Sequence, residues 1–210
     1  MMLKKLFKNK RGIVGIEAAI VLIAFIIIAA ALSYVVINMG FYTTQKTKEA
    51  MAAGLEESLT ALQLDGIITA KTNGSGYIEY LAVPVKLSAG RAVVDLGESA
   101  AVVSVYLPNS TLMNIHKGGI ATNKTDWDDL IAEFAFSAAD QAKFAIYNGN
   151  NNTVLESTEK AFLVLYLGDG HRINEYEIAK IEVRTAKGAA LTIVRTVPGG
   201  MLPNAFIDLG

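Results

Sequence analysis

Residues 13–37 read IVGIEAAIVLIAFIIIAAALSYVVI, interrupted only by Glu17 and by the mildly polar Ser33 and Tyr34. As a helix rising about 1.5 Å per residue this stretch extends about 37 Å, more than the roughly 30 Å hydrocarbon core of a bilayer. It is long enough to span a membrane. Lys4, Lys5, Lys8, Lys10 and Arg11 precede it, and residues 1–12 contain no acid. Such a basic flank stays on the cytoplasmic side, so the C-terminal bulk is expected to face outward. A conventional secretory signal fits poorly, because its apolar region is shorter and closes on a small-residue cleavage site. Here the helical pattern continues. Lys46, Lys48, Glu49, Glu56 and Glu57 supply polar positions, while Met51, Leu55, Leu59 and Leu62 recur at helical spacing. The sequence predicts a helix from about residue 14 to about 62, with Gly40 and Gly54 as soft points.

A helix apolar on all sides in its first half and striped in its second needs a partner surface all round. Lipid supplies one before assembly, and neighbouring copies of the same helix can supply it afterward.

The rest of the composition narrows the function. At 210 residues the chain can build one well-cored domain plus an extra element. Cysteine is absent, which excludes disulfides, thiolate metal sites and a cysteine nucleophile; histidine occurs only at His116 and His171. The formal net charge is −1, but removal of residues 1–12 leaves 14 basic against 20 acidic side chains, a formal −6. A mildly acidic chain lacks the clustered Lys and Arg that phosphate binding requires, so nucleic acid is not expected as a partner.

After Asp65-Gly66 the pattern changes to short β-branched and aromatic runs between turn residues: 77–87, 91–96, 100–107, 162–167, 177–185 and 190–197. This spacing predicts an all-β domain, an immunoglobulin-like sandwich or a barrel, so the fold class is α+β with a long hydrophobic N-terminal helix followed by that domain. Within 177–185 a slip in the alternation suggests a bulge or twist. Residues 148–152, NGNNN, look like a hairpin tip. Residues 126–143 fit either a short capped helix or two strands around a turn; a helix followed by a strand from about Ala142 is favoured.

Four sequons occur, at Asn73, Asn109, Asn123 and Asn151, all in turn-like sequence of the expected exported domain. Asp126, Asp128 and Asp129 resemble a fragment of a cation site but lack the glycine and bidentate glutamate of a calcium loop, so capping and solvation fit them better. Asp169-Gly170-His171 reads as a turn. Gly118-Gly119 and Gly199-Gly200 are turn signals without phosphate-loop spacing. No metal or cofactor and no catalytic activity are expected.

Three features carry a family resemblance: Lys10-Arg11-Gly12 directly before the apolar run, Gly15 and Glu17 just inside it, and Asn38-Met39-Gly40-Phe41-Tyr42-Thr43-Thr44-Gln45-Lys46 beyond it. Together they resemble an archaellin, the type IV pilin-like subunit of the archaeal motility filament, over roughly residues 8–60. The resemblance implies a leader of residues 1–12, recognised through Lys10, Arg11 and Gly15 and cut between Gly12 and Ile13 by a membrane-embedded peptidase. It implies a helix of residues 13–62 packed in the core of a homopolymeric, extracellular filament, with residues 63–210 as the outer head. An ATP-driven assembly machine would draw the precursor from the cytoplasmic membrane. Glu17 would aid docking through the new α-amino group of Ile13, against the alternative of a boundary residue at headgroup depth, and the sequons would carry glycans. The competing readings are an adhesive type IV pilin and a membrane-anchored extracellular binding domain, with an anchored enzyme third.

Overall fold

A computed structural model describes residues 10–59, 61–90, 93–147 and 150–210, with the side chains of residues 10–14 outside that description. The chain divides into two units, Met1–Gly54 and Leu55–Gly210.

The first unit is helix α1, which runs from Lys10 to Ser58 and so passes into the start of the second. Residues 13–58 contain no proline, so nothing breaks the ladder of backbone hydrogen bonds. Within the apolar half the large side chains are exposed within the chain itself, for example Ile20, Phe25, Ile27 and Leu32. The helix stops at Ser58, short of the expected residue 62. The reason lies in the next few residues: Ala61 and Leu62 are almost fully buried in the β unit, and Ser88 and Ala189 donate backbone N–H groups to the carbonyls of Ala61 and Leu59. Leu62 is therefore a strand residue, not the end of the helical stripe.

The second unit contains thirteen strands among its described residues: β1 Leu62–Leu64, β2 Thr69–Thr72, β3 Ile78–Leu87, β4 Val93–Asp95, β5 Ala101–Tyr106, β6 Thr111–Leu112, β7 His116–Thr122, β8 Gln141–Tyr147, β9 Val154–Glu156, β10 Lys160–Tyr166, β11 Ile178–Thr185, β12 Leu191–Thr196 and β13 Phe206–Asp208. The larger sheet is ordered β13-β2-β3-β10-β8-β7, with β1 also pairing β3; the second is ordered β12-β11-β5-β6; β4 and β9 form a two-stranded ribbon. One continuous apolar core joins the two sheets. Val83, Val85, Phe144, Ile146, Leu163 and Leu165 come from the larger sheet, and Val103, Val105, Ile181, Val183 and Ile193 from the smaller. This is a sandwich, not a closed barrel.

The larger sheet is buried on both faces at its centre. Its other face is covered by helix α2, Trp127–Phe134, whose Leu130 and Phe134 lie one turn apart and pack on Ala82, Ala145 and Val164. Two of those three sheet residues are alanines, which leave room for the helix. This second cover explains why the central residues of β3, β8 and β10 (81–85, 144–147 and 161–166) read as apolar runs while β11 alternates. Asp126 caps α2, its side chain accepting from the Asp128 N–H, and the Lys143 ammonium donates to the Phe134 carbonyl at the other end, 2.7 Å away.

Three expectations change. In β11 both registers are regular, so there is no bulge; Ala179, Ile181 and Val183 point inward and Ile178 outward. The asparagine-rich stretch does not join a simple hairpin, because β8 pairs with β10 whereas β9 leaves to pair with β4; Asn148 and Gly149 themselves lie outside the described residues, as do Arg91 and Ala92. Gly118-Gly119 lies inside β7 at a register shift, not in a turn. Gly118 has φ 88°, and a Cβ on Gly119 would sit 3.3 Å from that of Phe144, so glycine suits both places.

Candidate functional site

The surface of α1 is the first candidate. In the described part of the helix, Gly15–Ser58, the bilayer-length apolar window has none of its surface buried within the chain. Glu17 is exposed on it, and from residue 15 to residue 45 it is the only charged side chain. The threonine hydroxyls of the distinctive stretch after residue 38 are bonded internally: Thr43 donates to the Met39 carbonyl (2.8 Å), Thr44 to Gly40 (2.8 Å) and Thr47 to Thr43 (2.9 Å). Each of these threonine hydroxyls reaches back one turn, so the three threonines present their methyls with their own donors satisfied. Lys46 and Glu49 pair at 2.6 Å, and Gln45 donates to the same glutamate. That self-satisfaction was not legible in residue types alone, though the helical spacing of the threonines could have suggested it.

The backbone around the expected cleavage point is helical from Lys10 onward. The side chains of Lys10, Arg11 and Ile13 fall outside the description, as do the surroundings of Gly12, and among the described residues a Cβ on Gly15 would meet nothing within 4 Å.

The four sequons all lie in connections between strands or between a strand and α2, in three different environments. Asn73 is half-buried, and its Oδ1 accepts from the N–H groups of Ser75 (2.9 Å) and Tyr77 (3.0 Å), tying the turn before β3. Asn109 is exposed in the turn between β5 and β6, which is closed by a Leu107 N–H to Ser110 carbonyl bond of 2.8 Å. Asn123 and Asn151 are exposed, and both line one depression together with Ala121, Thr122 and Glu133.

The remaining polar residues singled out in the sequence serve the fold. Asp126 is a cap, Asp128 pairs with Lys71, and Asp129 lies 3.5 Å from the Lys124 ammonium. Asp169-Gly170-His171 is a turn after β10; Asp169 pairs with Arg172, which also holds Glu79 at 2.6 Å, and His171 meets Asp140 at 2.9 Å. His116 is buried beside Phe144, and its Nε2 donates to the carbonyls of Leu96 and Gly97, 3.0 and 3.2 Å away. Burial lowers its pKa, against the opposing pull of those carbonyls. Among the described residues no three His, Asp or Glu side chains converge where a metal ion could sit.

An apolar helix with no cover of its own, ahead of a sandwich with a complete core, leaves a bilayer-length surface for lipid or neighbouring subunits to cover. Comparison with solved proteins gives the same fold. The crystal structure of the archaeal flagellin FlaB1 from Methanocaldococcus jannaschii matches with a TM-score of 0.60 at 16% identity, over 70% of this chain and 95% of that one. The archaeal flagellum of Methanospirillum hungatei matches at 0.54 and 24%, over 89% and 94%. Sequence is more specific. Probable flagellin 1 of Aeropyrum pernix is 43% identical over 206 residues, covering 97% of this chain and all of the relative. Probable flagellin 2 of Archaeoglobus fulgidus is 30% identical over 217 residues, covering 97% and 98%. The family model for archaeal-type flagellin matches residues 12–195, and the chain belongs to that family: it is a structural subunit of an archaeal flagellar filament. Homologous flagellins form helical filaments, which are extracellular appendages of the cell surface.

Proposed function

We propose that the chain is made as a membrane precursor, cut between Gly12 and Ile13, and polymerised with identical copies into the swimming filament. The observation that carries this reading is the bilayer-length apolar surface of α1, none of which is buried within its own chain. Lipid covers that surface first, with the basic residues before Gly12 on the cytoplasmic side, and neighbouring α1 helices cover it in the filament. Residues 1–12 are the leader; the helix from residue 13, which ends at Ser58 and not at the expected residue 62, is the polymer core, and the β unit that follows is the outer wall. A membrane-embedded peptidase recognises Lys10, Arg11 and Gly15, and an ATP-driven machine moves the processed chain into the filament. The chain is the substrate of that peptidase and not itself an enzyme.

Glu17 is the fifth residue after the cut, about one helical turn from the new α-amino group of Ile13. A carboxylate in an apolar setting is costly unless paired. We assign it the docking role, met by an Ile13 amine. Asn73, Asn109, Asn123 and Asn151 are the candidate glycan sites; the exposed three suit modification better than Asn73, whose side chain already ties a turn.

Intact mass and N-terminal sequencing of filaments sheared from cells test the whole reading. A chain beginning at Ile13 with excess mass on sequon peptides is expected. A full-length chain retained in membranes and absent from the sheared fraction would overturn it.

A further inference from the structure

Two of the four sequons are brought together by an unusual element of the topology. Among the described strand pairs every one is antiparallel except β7 with β8, which run side by side in the same direction to a last matched pair, Thr122 and Tyr147. Parallel strands end at the same edge of the sheet, and neighbours lie about 4.8 Å apart. Asn123 follows β7 by one residue and Asn151 follows β8 by four. Sites 28 positions apart in sequence thus open into one depression of about 280 Å³, lined by Ala121, Thr122, Asn123, Glu133 and Asn151.

Hydrogen bonds tie the described residues of both connections. On the first, Thr122 Oγ1 accepts from the Lys124 N–H (3.1 Å) and donates to Glu133 Oε2 (2.6 Å), while the Tyr147 hydroxyl donates to the Lys124 carbonyl (2.6 Å). On the second, Asn150 Nδ2 donates to Glu156 (3.0 Å) and Asn152 Oδ1 accepts from the Val154 N–H (2.9 Å). Asn151 between them holds a left-handed backbone, φ 65°, a conformation asparagine tolerates better than most residues. The first connection cannot swing Asn123 away without giving up its bonds to Glu133 and Tyr147, and on the second the residues flanking Asn151 are tied to Val154 and Glu156 of β9.

We infer that Asn123 and Asn151 form one shared glycan site, in which an oligosaccharide on either amide fills the common opening and blocks transfer to the other. This rests on the reading that the sequons are glycosylated. Attachment forms one bond from the asparagine Nδ2 to the sugar's anomeric carbon, releases the lipid or nucleotide carrier of an activated oligosaccharide and frees one proton. It needs a glycosyltransferase able to enter the depression, and a first glycan lies in that path. Asn109, in a separate turn, has no such competitor among the other three.

Methionine-specific cleavage tests this on the filament protein as isolated from cells. The methionines at 113 and 201 bound a fragment, 114–201, that contains Asn123 and Asn151 and neither Asn73 nor Asn109. Its intact mass therefore counts glycans at the pair directly. The expected species are the bare fragment and the fragment with one glycan, with the two-glycan species absent. Asn123→Gln is expected to raise occupancy at Asn151, and Asn151→Gln to raise it at Asn123, whereas Asn109→Gln changes neither. A dominant two-glycan fragment, or occupancies indifferent to the partner's loss, overturns the shared site while leaving glycosylation standing. A fragment bare in every molecule overturns glycosylation at the pair, and the inference with it.

Discussion

Val164 and Leu165 are neighbours on β10, both fully buried, and they test the layering of the β unit because they point in opposite directions. Leu165 belongs to the core between the sheets and Val164 to the cluster under α2. Leu165→Ala removes three carbons from the inter-sheet core, for a loss of roughly 3–4 kcal/mol once the residual cavity is included. Val164→Ala removes two carbons, about 1.6 kcal/mol of transfer energy and roughly 2 kcal/mol with its cavity. In a domain of this size each kcal/mol shifts Tm by about 2–4 °C, so the expected drops are about 6–16 °C for Leu165→Ala and about 4–8 °C for Val164→Ala. Val194, on β12 and half exposed, is the control; its replacement by alanine should stay within about 0.5 kcal/mol. Thermal unfolding of residues 55–210 produced alone, followed by circular dichroism, reads all three. A Val164→Ala variant as stable as Val194→Ala would mean that α2 does not cover the sheet, and the three-layer reasoning would fail.

Other outcomes follow from the same contacts. Asp126→Ala removes the α2 cap and is expected to cost about 1 kcal/mol in the same unfolding assay. Asp65 is held below the usual carboxylate range by its bonds to Lys86 (2.5 Å) and Lys160 (2.9 Å), so its contribution is complete above the unfolded pKa near 3.8 and fades as pH falls toward the folded one; Asp65→Asn should flatten the acid limb of a stability-versus-pH curve. His116 is held below 6.5, so the unfolded chain takes up its proton first and stability should rise with pH up to about 6.5; His116→Gln should remove that slope, as urea titrations across pH 5–7 would reveal. Glu17→Gln should leave cleavage intact but reduce filament yield, counted as processed subunit in membranes against sheared filaments; normal yield would remove the docking role.

Much of this protein was legible because its strongest signals are local. Twenty-five residues with one charge mark a bilayer-length apolar helix, and alternation placed β11 to within a residue. What escaped depends on contacts distant in sequence. Leu62 keeps helical spacing with Leu59 yet is claimed by β3, whose Leu87 it faces in register. Ile178 looks like an inward residue until the regular register shows that Ala179 takes that side. Gly118-Gly119 resembles a turn because a bulge and a turn ask the same freedom of glycine. The pairing of Asn123 with Asn151 was invisible for a similar reason: nothing local marks β7 and β8 as parallel neighbours.

The division of the chain into a helix without a core and a domain with one also bears on how a filament can be both assembled and stable. Lipid tails are as apolar as isoleucine, so moving α1 from a bilayer into a bundle of its copies gains little from the hydrophobic effect. Transfer of its apolar half to water would instead cost on the order of 1.5–3 kcal/mol for each large side chain, and Ile20, Phe25, Ile27 and Leu32 are only four of those uncovered. On the proposed route the membrane therefore sets no strong preference between anchor and polymer, which is why an energy-consuming machine suits the transfer, while the aqueous exterior makes return from the finished filament prohibitive. The internally bonded hydroxyls of Thr43, Thr44 and Thr47 fit this economy, since the three threonines can change surroundings without exposing an unsatisfied donor of their own in either. Glu17 is the one charge between residues 15 and 45 that does not fit it, and so the position at which lipid and polymer can differ most in energy.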